Sequence, residues 1–313
     1  MSRVSTERLR AAAQGLVVDR RAADVLGSLA AAGVPALLLK GATVAELLHD
    51  AHEPRTYNDV DVLVGPDRVQ DAGRVLASLG YRPVAAPASV GRHRPTHATE
   101  WERPGDVSVD LHRRLSGVGA DPDAAWAVLA SRARPFRLAG AEVPAVDPVA
   151  VALLVGLHPA HHGPSHARSL ADLDRALDRL TGEDWDAVAA LARALDAEAA
   201  LGAGLRLRPG GAALAARLDL PERAPLDVAL RSSGAPPLAL GLDWLARTPG
   251  LRARAALVAR TALPTPGALR IWRPLARRGP GGLALAYASH PLWLARHALP
   301  SLLALRRARR AAA

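Results

Sequence analysis

The chain has 313 residues, half of them hydrophobic, which is enough for a substantial core and for one or two domains. It contains no cysteine, which excludes disulfides, thiolate zinc sites and thiol nucleophiles. The formal net charge is +10, but residues 246–313 carry 13 arginines and no acid, leaving 27 basic against 30 acidic residues elsewhere, so the basic character belongs to the C-terminal stretch and a nucleic-acid reading is weakened for the first half.

Residues 5–32 are rich in Ala and Leu with scattered charges and predict a helix ending at Gly33. Val34 to Leu39 is a short apolar run suited to a buried strand. Lys40-Gly41 follows at once, and Ala42 to His49 predicts a short helix. HEPRTYND is a loop. Val60, Val62 and Val64 then alternate with Asp59, Asp61 and Leu63, a strand with one apolar face. Pro66-Asp67 opens a helix to about Leu79, closed by Gly80. Residues 81–97, rich in Pro, Arg and His, predict a loop or an irregular strand. Val107, Val109 and Leu111 alternate with Ser108, Asp110 and His112, a second one-sided strand.

After about residue 140 the pattern becomes helical. Asp147-Pro148 is a cap followed by a proline at the first helical position. The run to Leu157 is apolar on nearly all sides and predicts a buried helix. Leu170–Leu180 and Trp185–Ala200 predict two more. Residues 205–240 are low-complexity sequence. Residues 279–295 are uncharged, but Pro291 breaks a run already short for a membrane span. The N-terminal MSRVSTERLR has no apolar core of a secretory signal, so the expected location is cytoplasmic, with peripheral membrane contact as an option.

Thirty-nine arginines stand against a single lysine, Lys40. A compositional bias toward arginine has left a compact ammonium here, where a planar fork is no substitute. Asp59 and Asp61 leave the same face of one strand, and Asp110 lies on another strand with the same alternation. If those strands are neighbours, three carboxylates converge and bridge hard divalent cations, which prefer oxygen ligands. Gly41 lets backbone amides approach a phosphate, Lys40 adds a point charge, and Arg55 is a second positive group. Thr43 is the nearest hydroxyl to that turn. His112 shares the face of Asp110 as an acid, base or substrate contact. His158 and His162 are four apart, but Pro159 between them argues against a continuing helix, and no fourth ligand completes a zinc site. Asp172 reads as a helix cap or packing contact near the cleft.

The order is strand, glycine turn, helix, Asp-x-Asp strand, and later a strand with a third acid. On LLLKGATVAELL, RTYNDVDVLV, LASLGY and VSVDLHRRL, with LLVGLHPAHH and SLADLDRAL further on, the chain resembles the nucleotidyltransferase superfamily related to DNA polymerase beta. Within it, the chain is similar to the bacterial group called uncharacterised nucleotidyltransferases. The resemblance covers roughly residues 30–180. It implies Mg²⁺- or Mn²⁺-dependent transfer of a nucleoside monophosphate from an NTP to a hydroxyl of a small molecule, natural-product intermediate, protein or RNA end. It further implies an α/β (α+β) fold, a small mixed sheet with flanking helices followed by a helical region. Asp59, Asp61 and Asp110 are then the catalytic and metal residues, with Lys40, Gly41, Arg55, Thr43 and His112 around the nucleotide.

The expected organisation is a catalytic domain with its N-terminal helix over 1–140, a helical domain over 141–245 and a basic helical region over 246–313. That basic region is a solvated face or a contact for RNA or anionic membrane. The alternative function is a non-catalytic binding protein of the same fold. One further expectation concerns charge. Three clustered carboxylates repel, so Asp61→Asn should leave the metal-free protein equally or more stable.

Overall fold

The structure is a computed structural model, and it describes residues 3–50, 53, 55–84 and 97–312. The chain divides into two compact units, which meet in sequence near residue 222.

The first unit opens with α1 (Arg3–Ala31), and Gly33, at φ +67°, turns the chain into β1 (Ala36–Leu38). Then come α2 (Ala42–Leu48), β2 (Asp59–Val64), a 3-10 turn at Pro66–Arg68 and α3 (Val69–Ser78). The short β3 (Arg82–Pro83), β4 (Ala98–Glu102) and β5 (Ser108–His112) follow. Residues 85–96 of the expected loop lie outside the described residues. Next are α4 (Pro122–Ser131), β6 (Arg134–Leu138) and β7 (Ala141–Ala145). Four helices close the unit's body: α5 (Pro148–His162), α6 (Ala167–Arg179), α7 (Gly182–Ala194) and α8 (Glu198–Leu205), with α9 (Pro209–Arg217) after them.

The seven strands form one mixed sheet in the order β3-β4-β5-β2-β1-β7-β6. β2 runs parallel to β5 and antiparallel to β1. The expected mixed sheet with flanking helices is therefore present. One face is covered by α1 and α3. There Val60, Val62 and Val64 of β2 and Val107, Val109 and Leu111 beside or on β5 pack with Leu29, Leu76 and Tyr81 in a single core. Each fully buried valine contributes about 1.5–3 kcal/mol, so register slippage by one residue would expose the whole set and is heavily disfavoured. The acids of both strands are left on the opposite face.

α5 is buried along its length from Ala150 to Leu157 and packs against α2, α6, α7 and α8. Where α5 meets α8 no side chain fits: a Cβ on Gly204 would lie 2.0 Å from the Gly156 carbonyl oxygen. This packing overrides the local break expected at Pro159, and α5 continues through it to His162.

The second unit is helical: α10 (Leu226–Ser232), α11 (Leu238–Arg247), α12 (Leu251–Ala262), α13 (Pro266–Trp272), a 3-10 turn at Pro274–Arg277 and α14 (Gly279–Ala312). α14 is 34 residues long and continues through Pro291 and Pro300, held by α10, α11 and the Pro274–Arg277 turn. The expected break at Pro291 is absent. Several of the C-terminal arginines are engaged internally. Arg247 and Arg309 approach the buried Asp243 carboxylate at 3.0 and 3.7 Å, and Arg254 and Arg277 donate to backbone carbonyls. Among the described residues no helix is long and apolar enough to cross a membrane.

Candidate active site

The parallel pairing of β2 with β5 aligns Asp59 with Ser108, Asp61 with Asp110 and Leu63 with His112. Paired residues on adjacent strands share a face, so the carboxylates of Asp61 and Asp110 stand side by side. Ligand atoms of Asp61, Asp110 and His112 all lie within 4.8 Å of one another. Asp59 occupies the same face one pleat earlier on β2, half-buried. On the other side of β5, antiparallel β4 places Glu100 opposite Asp110. That strand and its glutamate were not anticipated from the sequence. Asp61, Asp110 and Glu100 thus form an acidic row across three strands.

Lys40 follows β1, two residues past its end, beside this row. Its Nζ donates to Oδ1 of Asp61 at 2.9 Å, and Nε2–H of His112 donates to the same oxygen at 2.8 Å. Asp61 is 4% exposed, and burial alone would favour its neutral form. The Lys40 charge and the His112 hydrogen bond overcome that penalty and hold the carboxyl well below the usual range. Lys40 itself is pushed up, because the nearby Asp61, Asp59 and Asp110 charges outweigh its desolvation. Asp110 has no such cation. Burial first, and then the Asp61 charge, push it up to about 6. Asp59 moves up for the same two reasons, partly offset by Lys40 and Arg168.

The turn after Lys40 is shaped by sterics. Gly41 sits at φ +80°, and a Cβ there would meet the Tyr57 ring at 3.2 Å. Tyr57 is fixed from behind by its hydroxyl, which donates to Asp19 at 2.6 Å. The backbone therefore requires glycine here, whatever binds in front of it. Thr43 is buried, and its hydroxyl donates to the Leu39 carbonyl at 2.9 Å, so it is already committed to the helix.

Arg55 is also committed. Its guanidinium makes a forked contact to Asp172 of α6, with Nη2 at 2.8 Å and Nε at 3.1 Å, and His49 approaches the same carboxylate at 3.4 Å. Against the cost of burial, the His49 and Arg55 hydrogen bonds bring Asp172 down to about 2. This lock ties the loop before β2 to α6, which favours a positioning role for Arg55 over a phosphate contact. Asp172 is the packing contact expected, but the cap of α6 is His166. Arg55→Ala strands a buried carboxylate and should cost about 3–5 kcal/mol in urea unfolding. The Arg55→Ala/Asp172→Ala pair should cost less than the sum of the two single changes. Additive losses would mean that the contact is not formed.

Beside Lys40 and His112 a cavity of about 60 Å³ is lined by His97, His158, His161, His162, Leu115, Ser116, Leu154 and Leu157. The Nδ1 atom of His112 is buried there without a hydrogen-bond partner. His158 is held neutral: burial, then the neighbouring Lys40 charge, bring it down to about 2.

A family described as uncharacterised nucleotidyltransferase matches residues 2–209, two thirds of the chain. The chain belongs to that family. This nucleotidyltransferase also has loose structural neighbours. The antibiotic-resistance factor ANT(2'')-Ia in solution is 14% identical, with a TM-score of 0.38, over 55% of this chain and 87% of its own. ANT(2'')-Ia in complex with adenylyl-2''-tobramycin is 16% identical, with a TM-score of 0.37, over 55% and 92%. An antigenic nucleotidyltransferase-like protein from Paracoccidioides brasiliensis is 16% identical, with a TM-score of 0.34, over 58% and 93%. No curated protein matches the chain. The assignment of this nucleotidyltransferase rests on the family match.

Proposed function

We propose that this nucleotidyltransferase moves a nucleoside monophosphate from an NTP to a hydroxyl acceptor in a reaction that depends on Mg²⁺ or Mn²⁺. The observation that carries the reading is the in-register pairing of Asp61 with Asp110 on one sheet face, next to the chain's only lysine.

The donor set suits a hard divalent cation. It consists of carboxylate oxygens, it holds more negative charge than its surroundings neutralise, and an ammonium already stands on Asp61 in a cation's place. Asp59, Asp61 and Asp110 would hold the metal. When bound, such an ion polarises the phosphoryl group and stabilises the leaving pyrophosphate. The protein's own groups do the rest. Lys40, freed from Asp61, offers its ammonium to the triphosphate. His112 orients Asp61 through Nε2–H. Gly41 keeps the turn low enough for a phosphate to approach the backbone. Arg55 and Asp172 fix the loop that delivers Asp59.

The acceptor proposed is a free hydroxyl, on a small molecule, a natural-product intermediate, a protein or an RNA end. The test is incubation with labelled NTPs and Mg²⁺ or Mn²⁺, with transfer scored on a panel of small polyols and on RNA ends. Lys40→Ala should weaken NTP binding about tenfold to a hundredfold in Mg²⁺, as expected for loss of a charge-assisted phosphate contact. Unchanged affinity by calorimetry removes Lys40 from the nucleotide site.

A further inference from the structure

A histidine cluster lies where α5 ends and α6 begins. His158 and His162 are one helical turn apart on α5, brought onto the same face because the helix continues through Pro159. His166 caps α6 four residues later. One ring nitrogen from each lies within 4.8 Å of the others, and the rings of His162 and His166 are 4.5 Å apart. The third ring joins the other two where the chain turns at Gly163, between α5 and α6.

We propose that His158, His162 and His166 form a second metal site, distinct from the carboxylates, that takes a borderline transition ion of the Zn²⁺ class. The chemistry selects that class. Neutral imidazoles suit zinc, cobalt and nickel, whereas magnesium demands oxygen donors. Three protein nitrogens with water in a fourth position make a complete tetrahedral shell, and His162 is exposed, so water reaches it. Zinc–nitrogen bonds of about 2.0–2.1 Å need the three nitrogens to draw closer than they stand here, a movement within side-chain rotation. A cost falls at His166, whose Nδ1 accepts the Ser169 amide at 3.2 Å. Coordination through either nitrogen turns or retautomerises that ring and gives up this long cap.

The ion would clamp the end of α5 to the start of α6. α6 carries Asp172, which holds Arg55 ahead of Asp59, so the clamp would fix the scaffold of the acidic row. Two of its three ligands also line the cavity beside Lys40.

The probe is Co²⁺, titrated into full-length protein stripped with chelator and followed by visible absorption. One equivalent should give the intense bands of a four-coordinate site, displaced by Zn²⁺ and untouched by excess Mg²⁺. His162→Ala, at an exposed position, should melt like the parent yet bind Co²⁺ more than about 100-fold more weakly, beyond the usual loss from a mere supporting residue. Asp110→Asn should bind Co²⁺ like the parent. Absence of four-coordinate bands overturns the proposal. So does Co²⁺ binding that survives His162→Ala and His166→Ala but fails in Asp110→Asn, which would place the ion on the carboxylates. Neither result bears on nucleotidyl transfer, which is read separately with Mg²⁺ and NTP.

Discussion

Asp61→Asn should destabilise the metal-free protein by about 2–4 kcal/mol and lower transfer at least about 10³-fold. This reverses the sign expected from carboxylate repulsion alone. Asp61 is not an uncompensated charge. It accepts from both Lys40 and His112 in a nearly dry setting. Asparagine keeps the shape but removes the charge, leaving a half-buried ammonium with weaker partners and forcing the amide to replace two strong hydrogen bonds. The stability loss lies below the largest values for broken buried pairs because Lys40 retains 22% of its side-chain exposure. Urea unfolding in chelator, with transfer assayed in Mg²⁺, checks both halves. A midpoint unchanged or raised would show that the Lys40–Asp61 pair contributes nothing. A normal rate would remove Asp61 from the chemistry.

The repulsion is instead concentrated at Asp110. Its carboxyl is pushed up to about 6 from an ordinary 3.8, by burial and by the Asp61 charge. The folded state therefore holds a proton that the unfolded chain has already released. Between pH 3.8 and about 6, where buried His158 contributes the opposite slope, Asp110 binds more proton in the native state, so its own contribution to stability falls as pH rises. The contribution is fully present at the acid end and absent above about pH 6. Discounted for the partial exposure of Asp110, it is on the order of 2 kcal/mol. Asp110→Asn should remove this contribution and leave the metal-free protein more stable than the parent at pH 7. Saturating Mg²⁺ should also remove it, by supplying the missing counter-charge. Transfer should decline below about pH 6, where a proton competes for the same oxygens. Melting curves from acid to neutral pH, with and without Mg²⁺, test the first two, and the pH profile of transfer tests the third. A stability difference between parent and Asp110→Asn that stays constant from about pH 4 to about pH 6 would refute the assignment.

What the sequence disclosed follows from local periodicity. β2 and β5 were legible because valines alternate with acids on both, and the same alternation put Asp61 and Asp110 on one face. The hairpin of β6 and β7 was not, since Pro135 and Pro144 interrupt the strand pattern. They are tolerated because they pair with each other, in a hairpin whose outer strand, β6, is an edge. Its two-residue turn, Ala139 at φ +48° and Gly140 at φ +84°, lacks the usual Asn-Gly signature. β4 was missed because its outward residues are polar, so Glu100 went unnoticed. The partners of Lys40 and Arg55 were out of reach for a different reason. Both are long-range pairs, and sequence supplies the charges but not which opposite charge each will meet. Prolines misled in the other direction. Pro159 and Pro291 read as breaks, yet each helix continues where neighbouring elements pack against it.

The solitary lysine also makes the molecule its own reporter. Apart from the terminal α-amine, Lys40 is the one amine that acylating reagents can modify, and Lys40-Gly41 is the one bond that a lysine-specific protease can cut. In the folded protein that amine is held against Asp61, and the bond lies in a turn backed by Tyr57. Its acylation rate therefore reads the opening of this ion pair. Cleavage into two fragments reads the local melting of the turn. Both signals come from a single position in unmodified protein, without any introduced label.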